Sequence, residues 1–150
     1  MAEGLAFAAS IVAFIQLADR VGQLSKTFIS AMNGESGPLE AVQAEMSAMT
    51  TLLNELHNHH DVSDSHGSVA IERATDLPIK TCHDSVQLLE TELSKLSISP
   101  AHANTGPSKR QRLKQSVKWA TGGETRVKKI VDDLVTQKAT LSLALQSSLS

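Results

Sequence analysis

The chain has 150 residues, 41% of them hydrophobic, a net charge of −2, one cysteine and four Phe or Trp side chains: Phe7, Phe14, Phe28 and Trp119. That length suits one domain, 1–150, large enough to bury about two thirds of its unfolded surface. The lone Cys82 excludes an internal disulfide and fits a reducing, cytoplasmic setting, while a core of Leu, Val, Ile, Ala and Met without tyrosine favours packed helices over a β-sandwich.

The first element opens with "GLAFAASIVAFIQLA", residues 4–18, fifteen residues without a charge. A secretion signal needs a basic stretch ahead of its apolar run, and the only early charge is Glu3. Fifteen helical residues cover roughly 22 Å against a hydrocarbon core of about 30 Å, so the run alone is short for a membrane span. Asp19 and Arg20 close it, yet Val21, Leu24, Phe28 and Ile29 carry an apolar stripe onward. The pattern predicts a helix of about 28 residues whose first half is apolar nearly all round. Small residues recur four apart at Gly4 and Ala8, Ala9 and Ala13, and Ala18 and Gly22, which suits close helix packing in a core or in a bilayer.

Gly34, Gly37 and Pro38 break that helix, and Pro38 suits a first helical position. Leu39, Val42, Met46, Met49, Leu53 and Leu56 then alternate spacings of three and four, the mark of a helix with one buried seam. "HNHHDVSDSHG" reads as a polar loop at about 57–68. A short helix is predicted at 69–77, with a kink or break at Pro78. A firmer helix follows at 79–97, with Ile79, Cys82, Val86, Leu89, Leu93 and Leu96 as its seam. Cys82 occupies a seam position and is expected to be a small core residue. "SISPAHANTGPS" reads as a flexible connection at 97–108, followed by a basic helix at about 109–120 and a stop or bend at the two glycines 122 and 123. The last helix is predicted at about 124–147, burying Val127, Ile130, Val131, Leu134, Leu141, Ala144 and Leu145. No strand pattern appears. The expected fold is all-α: an antiparallel bundle of four main helices plus short extra helices.

The charge is unevenly spread. Residues 1–108 hold thirteen acids and five bases, and residues 109–150 hold three acids and nine bases. Lys109, Arg110, Arg112, Lys114 and Lys118 lead the basic stretch. Scarce aromatics and an acidic remainder argue against nucleic acid, leaving anionic lipid headgroups or a merely solvated face. His57, His59, His60 and His66, with Asp61 and Asp64, offer metal donors, but their spacing matches no established site, so no metal is expected. Cys82 and His83 are adjacent on a helix and diverge, no phosphate-binding glycine loop occurs, and neither a cofactor nor catalysis is expected.

Four stretches in this order carry a resemblance: "GLAFAASIVAFIQLADRV", "LEAVQAEMSAMTTLLNEL", "CHDSVQLLETELSKL" and "RLKQSVKWATGGETRVKKIVDDLVTQKATLSLALQ". Together they resemble the HeLo-like N-terminal domain of fungal STAND (NLR-like) proteins over nearly the whole chain. One departure is "KQSVKWATGGETR", where that family more often has "LKWPF" running directly into the acidic start of the last helix. The resemblance implies a helical bundle ahead of a nucleotide-binding oligomerisation module and repeat domains. It implies homo-oligomerisation on activation, with recruitment to the plasma membrane in programmed cell death or nonself response. It also implies a first helix that is released into the membrane, with Gly4, Leu5, Phe7, Ala8, Ile11, Val12, Phe14 and Ile15 as the inserting residues. No G-x-x-x-x-G-K-[ST] occurs in these 150 residues, so the expectation is a domain of a longer chain or a short stand-alone version. The alternative is a non-lytic interaction or oligomerisation module.

Overall fold

In a computed structural model, residues 2–31, 37–96 and 122–149 are described. They form four helices: α1 (Ala2–Ala31), α2 (Gly37–Val62), α3 (Ser65–Leu96) and α4 (Glu124–Leu149). Among the described residues there is no strand, and the fold is an all-α bundle. The predicted connection at 97–108 and basic helix at 109–120 lie outside the described residues.

The seams read from spacing form the core. Leu39, Val42, Met46, Met49, Leu53 and Leu56 are buried on α2, and Ile79, Cys82, Val86, Leu89 and Leu93 on α3. On α4, Val127, Val131, Leu134, Leu141 and Leu145 are buried, with Ile130 and Ala144 half-buried. α1 packs on α2 and α3, α4 packs on the same two from the other side, and α1 and α4 make at most marginal contact. Successive helices reverse direction. Phe7 meets His60 and Gly22 meets Met46, so α1 and α2 are antiparallel. Glu92 bonds Arg126 and Ser85 bonds Gln137, so α3 and α4 are antiparallel too.

Two expectations are corrected. The polar stretch at 57–68 is not a flexible loop: α2 runs on through Val62 and α3 begins at Ser65, leaving Ser63 and Asp64 as the whole connection. Asp64 caps α3 by accepting the Gly67 N–H at 2.7 Å, and the Ser63 hydroxyl donates to the His59 carbonyl at 2.6 Å. The turn is tight enough that a Cβ at Gly67 would lie 3.1 Å from the Ser63 Cβ. Pro78, in turn, does not divide the third helical region, because α3 passes through it unbroken. A proline forfeits one backbone bond and costs about 3 kcal/mol in a helix interior. Here Ile71, Thr75, Ile79 and Cys82 stay buried in one phase on both sides of it, and the Thr75 hydroxyl donates to the Ile71 carbonyl at 2.6 Å. Continuous burial outweighs the local loss. At the other end Gly122 takes φ 149°, a conformation that L side chains rarely adopt, and a Cβ there would meet Arg126 Nη1 at 2.9 Å.

Candidate functional site: the N-terminal helix and its seat

α1 has two faces of different chemistry. Its inner face is Ile11, Phe14, Leu17, Ala18, Val21, Ser25 and Phe28, all buried. The Ser25 hydroxyl is satisfied by donating to the Val21 carbonyl at 2.9 Å. Between residues 6 and 18 the outer face is Ala6, Ala9, Ser10, Val12, Ala13 and Gln16, every one exposed and none charged. Outer faces elsewhere carry ions: Glu40 and Glu55 on α2, Lys128, Lys129, Asp132 and Asp133 on α4. Among the described residues α1 holds the one stretch long and apolar enough to cross a membrane, Ala6–Ser30, with a mean hydropathy of 1.2. Only 28% of that window is buried, so its apolarity is not explained by the core alone. The small residues divide between the two roles. Ala18 and Gly22 pack inward, Gly22 against Met46, whereas Ala9 and Ala13 face out.

The residues singled out for lipid insertion therefore separate. Ile11 and Phe14 are buried, Phe7, Ala8 and Ile15 are half-buried, and Val12 is 42% exposed. The side chains of Gly4 and Leu5 lie outside the described residues, as do Lys109, Arg110, Arg112, Lys114 and Lys118.

Both phenylalanines of the apolar run rest on histidine rings. Phe14 meets His83 of α3 edge-on, with centroids 5.2 Å apart, and Phe7 meets His60 of α2 at 4.7 Å. His60 is the one acidic or basic side chain buried among the described residues. Its Nε2 lies 2.8 Å from Glu72 Oε1 of α3, so the imidazole N–H donates to a carboxylate that can only accept. Its backbone carbonyl accepts the Ser68 hydroxyl at 3.1 Å. The other histidines of this stretch do not converge on it: His57 pairs with Asp61 at 3.5 Å, and among the described residues no group of three or more His, Cys, Asp or Glu is arranged to hold a metal. The signal for His60 was present in the spacing, since it follows Leu56 by four and so continues the α2 seam.

Polar links tie the remaining helices to one another. Arg126 Nε donates to Glu92 at 2.9 Å, Ser85 to Gln137 at 2.6 Å and Lys138 to Glu45 at 2.7 Å. Burial alone would raise the Glu92 carboxyl, but hydrogen bonds from Arg126 and Lys95 outweigh it and hold the group below its ordinary value. α1 has one such link among the described residues, Arg20 Nε to Glu90 at 3.2 Å, and it is exposed. An open groove of about 640 Å³ lies between α1 and α2, lined among others by Ala18, Asp19, Gly22, Lys26, Glu40 and Ala44. Cys82 is buried on α3, and burial pushes its thiol up to about 11, which keeps it protonated and unreactive.

No family model, no curated protein and no solved structure matches the chain.

Proposed function

We propose that this chain is an N-terminal signalling and effector bundle of the HeLo-like kind that its sequence resembles, acting on membranes through α1 when it oligomerises. One observation carries the reading: the exposed face of α1 from Ala6 to Ala18 has no charge, in a helix docked on a bundle whose other outer faces carry ions. In water that face gains nothing from being apolar. In lipid, the same stretch satisfies its own backbone bonds and offers uncharged side chains, most of them apolar or small, on both faces. The mechanism is a two-state exchange, in which burial of Ile11, Phe14, Leu17 and Val21 against α2 and α3 competes with their burial in a bilayer. Self-association would shift that balance by bringing several α1 helices together at one membrane site. The basic residues Lys109, Arg110, Arg112, Lys114 and Lys118 would add attraction to anionic headgroups, about 1 kcal/mol for each that lies at the surface. Nucleotide-binding and repeat domains of a longer chain are the proposed controllers. A cytoplasmic protein recruited to the plasma membrane is the proposed setting.

The test is leakage of dye-filled vesicles by the purified domain, with Val12→Glu and Ala13→Glu on the exposed face. Both positions already face water, so stability should change by less than about 0.5 kcal/mol. An acid at the bilayer centre costs about 2.5–3.5 kcal/mol, so each change should suppress leakage. Reversing Lys109, Arg110, Arg112 and Lys114 to glutamate should weaken binding to anionic vesicles, and salt should weaken the wild type. A wild-type domain that never touches vesicles, anionic ones included, replaces this reading with that of an interaction module.

A further inference from the structure

α1 is not held evenly along its length. From residue 6 to residue 10 no side chain is fully buried: Ala6, Ala9 and Ser10 are exposed, while Phe7 and Ala8 are half-buried. From Ile11 onward a buried residue recurs every three or four positions. Between residues 6 and 10 the one large side chain is Phe7, which packs against the apolar core and lays its ring on the His60 ring. That seat is itself fixed from three directions. Glu72 of α3 holds the imidazole at 2.8 Å, Ser68 of α3 donates to the His60 carbonyl, and the two-residue connection at Ser63 and Asp64 sets the angle at which α2 meets α3. A histidine in that place supplies a flat apolar face to Phe7 and a polar edge to Glu72, which no aliphatic residue does.

We infer that the His60–Glu72 pair is a catch for the tip of α1: through Phe7 it helps hold residues 6–10 in the bundle, and unhooking it loosens that segment while the rest of α1 stays docked. The surface of α1 opens from its N-terminal end, and the opening is controlled by residues on α2 and α3 rather than by α1 itself. In its consequence for lipid this rests on the proposed membrane reading, since the freed tip is then the first part to enter. In its consequence for the bundle it stands alone.

The experiment is native-state amide hydrogen exchange on the whole 150-residue chain, comparing wild type with His60→Ala and Glu72→Ala. The first four N–H groups of a helix lack intrahelical partners, so the readout begins at the amides of residues 7–10. In His60→Ala these amides should exchange about tenfold faster, with the amides of residues 17–28 and of α3 and α4 unchanged. Glu72→Ala keeps the ring but releases it, so it should give a smaller acceleration confined to the same amides. This second variant also serves if His60→Ala does not fold. Unchanged exchange at residues 7–10, or a uniform acceleration through all four helices, overturns the catch. Vesicles of phosphatidylcholine, with and without phosphatidylserine, separate the two readings. Faster tip exchange with increased leakage supports both. Faster tip exchange with no vesicle binding by any variant supports the catch and overturns the membrane function.

Discussion

Replacing Phe14 by alanine tests whether α1 is a separable element. Phe14 is 1% exposed, lies on the inner face between Ile11 and Leu17, and meets the His83 ring of α3 edge-on. Truncating a phenylalanine at such a site costs about 3–5 kcal/mol, from lost burial and the cavity left behind. Because α1 rests on α2 and α3 with a single exposed polar link among the described residues, the loss should fall on the docking of α1 rather than on the remaining helices. At the lower bound, the equilibrium for α1 opening rises by about a hundredfold. Native-state hydrogen exchange should report this as selective acceleration of amides 15–25, with the α3 and α4 amides near wild type. Val12→Ala, on the exposed face, should leave both groups alone and serves as the control. Equal acceleration of α1, α3 and α4 in Phe14→Ala would refute the separability of α1, and no acceleration anywhere would refute its place in the core.

Leu53→Ala and Leu89→Ala remove fully buried side chains of α2 and α3, and each should cost about 2–5 kcal/mol, read as a lowered urea midpoint by circular dichroism. Glu92 is held below its ordinary value of 4.5, so its bonds to Arg126 and Lys95 add stability above that pH and lose it as pH falls through the depressed value. Glu92→Gln should therefore flatten the acid limb of a urea-midpoint profile, and a variant with an unaltered limb would remove that link from the account. Alkylation of Cys82 at mildly alkaline pH should be slow in the folded chain and fast in urea, because the thiol is buried and ionises only near 11. Rapid labelling of the folded protein would mean that α3 is not packed as described.

The seams at 39–56 and 79–93 were readable because a helix with one wet face leaves a regular imprint, apolar at every third or fourth place. Two features broke the imprint and were misread for different reasons. The histidine-rich stretch looked like a loop because His, Asn, Asp and Ser carry no apolar period. Its helix depends instead on an Asp64 cap and on a histidine that buries a ring while bonding a carboxylate. Of the kink or break expected at Pro78, the break does not occur, because Ile71, Thr75, Ile79 and Cys82 keep one buried stripe across it. The candidate site was half legible. An uncharged run at 4–18 could be seen, but its division into a buried and an exposed face depends on where α2 and α3 lie, which no stretch of α1 encodes by itself. The pairing of Phe7 with His60 joins residues far apart in sequence and left no local trace.

The alternation of helix direction has a consequence for how the bundle would meet a flat surface. The first turn of α1, the connection at Ser63 and Asp64 and the last turn of α4 share one end, whereas α3 finishes at Leu96 and α4 starts at Glu124 at the other. With 32 residues in α3, those ends stand about 48 Å apart. A bundle standing upright on a bilayer offers it only one of them. A bundle lying along the bilayer on the outer face of α1 offers the whole uncharged stretch at once, with both ends level with the surface. Under the proposed membrane action, this geometry favours a recumbent first encounter, with α1 already parallel to the bilayer surface.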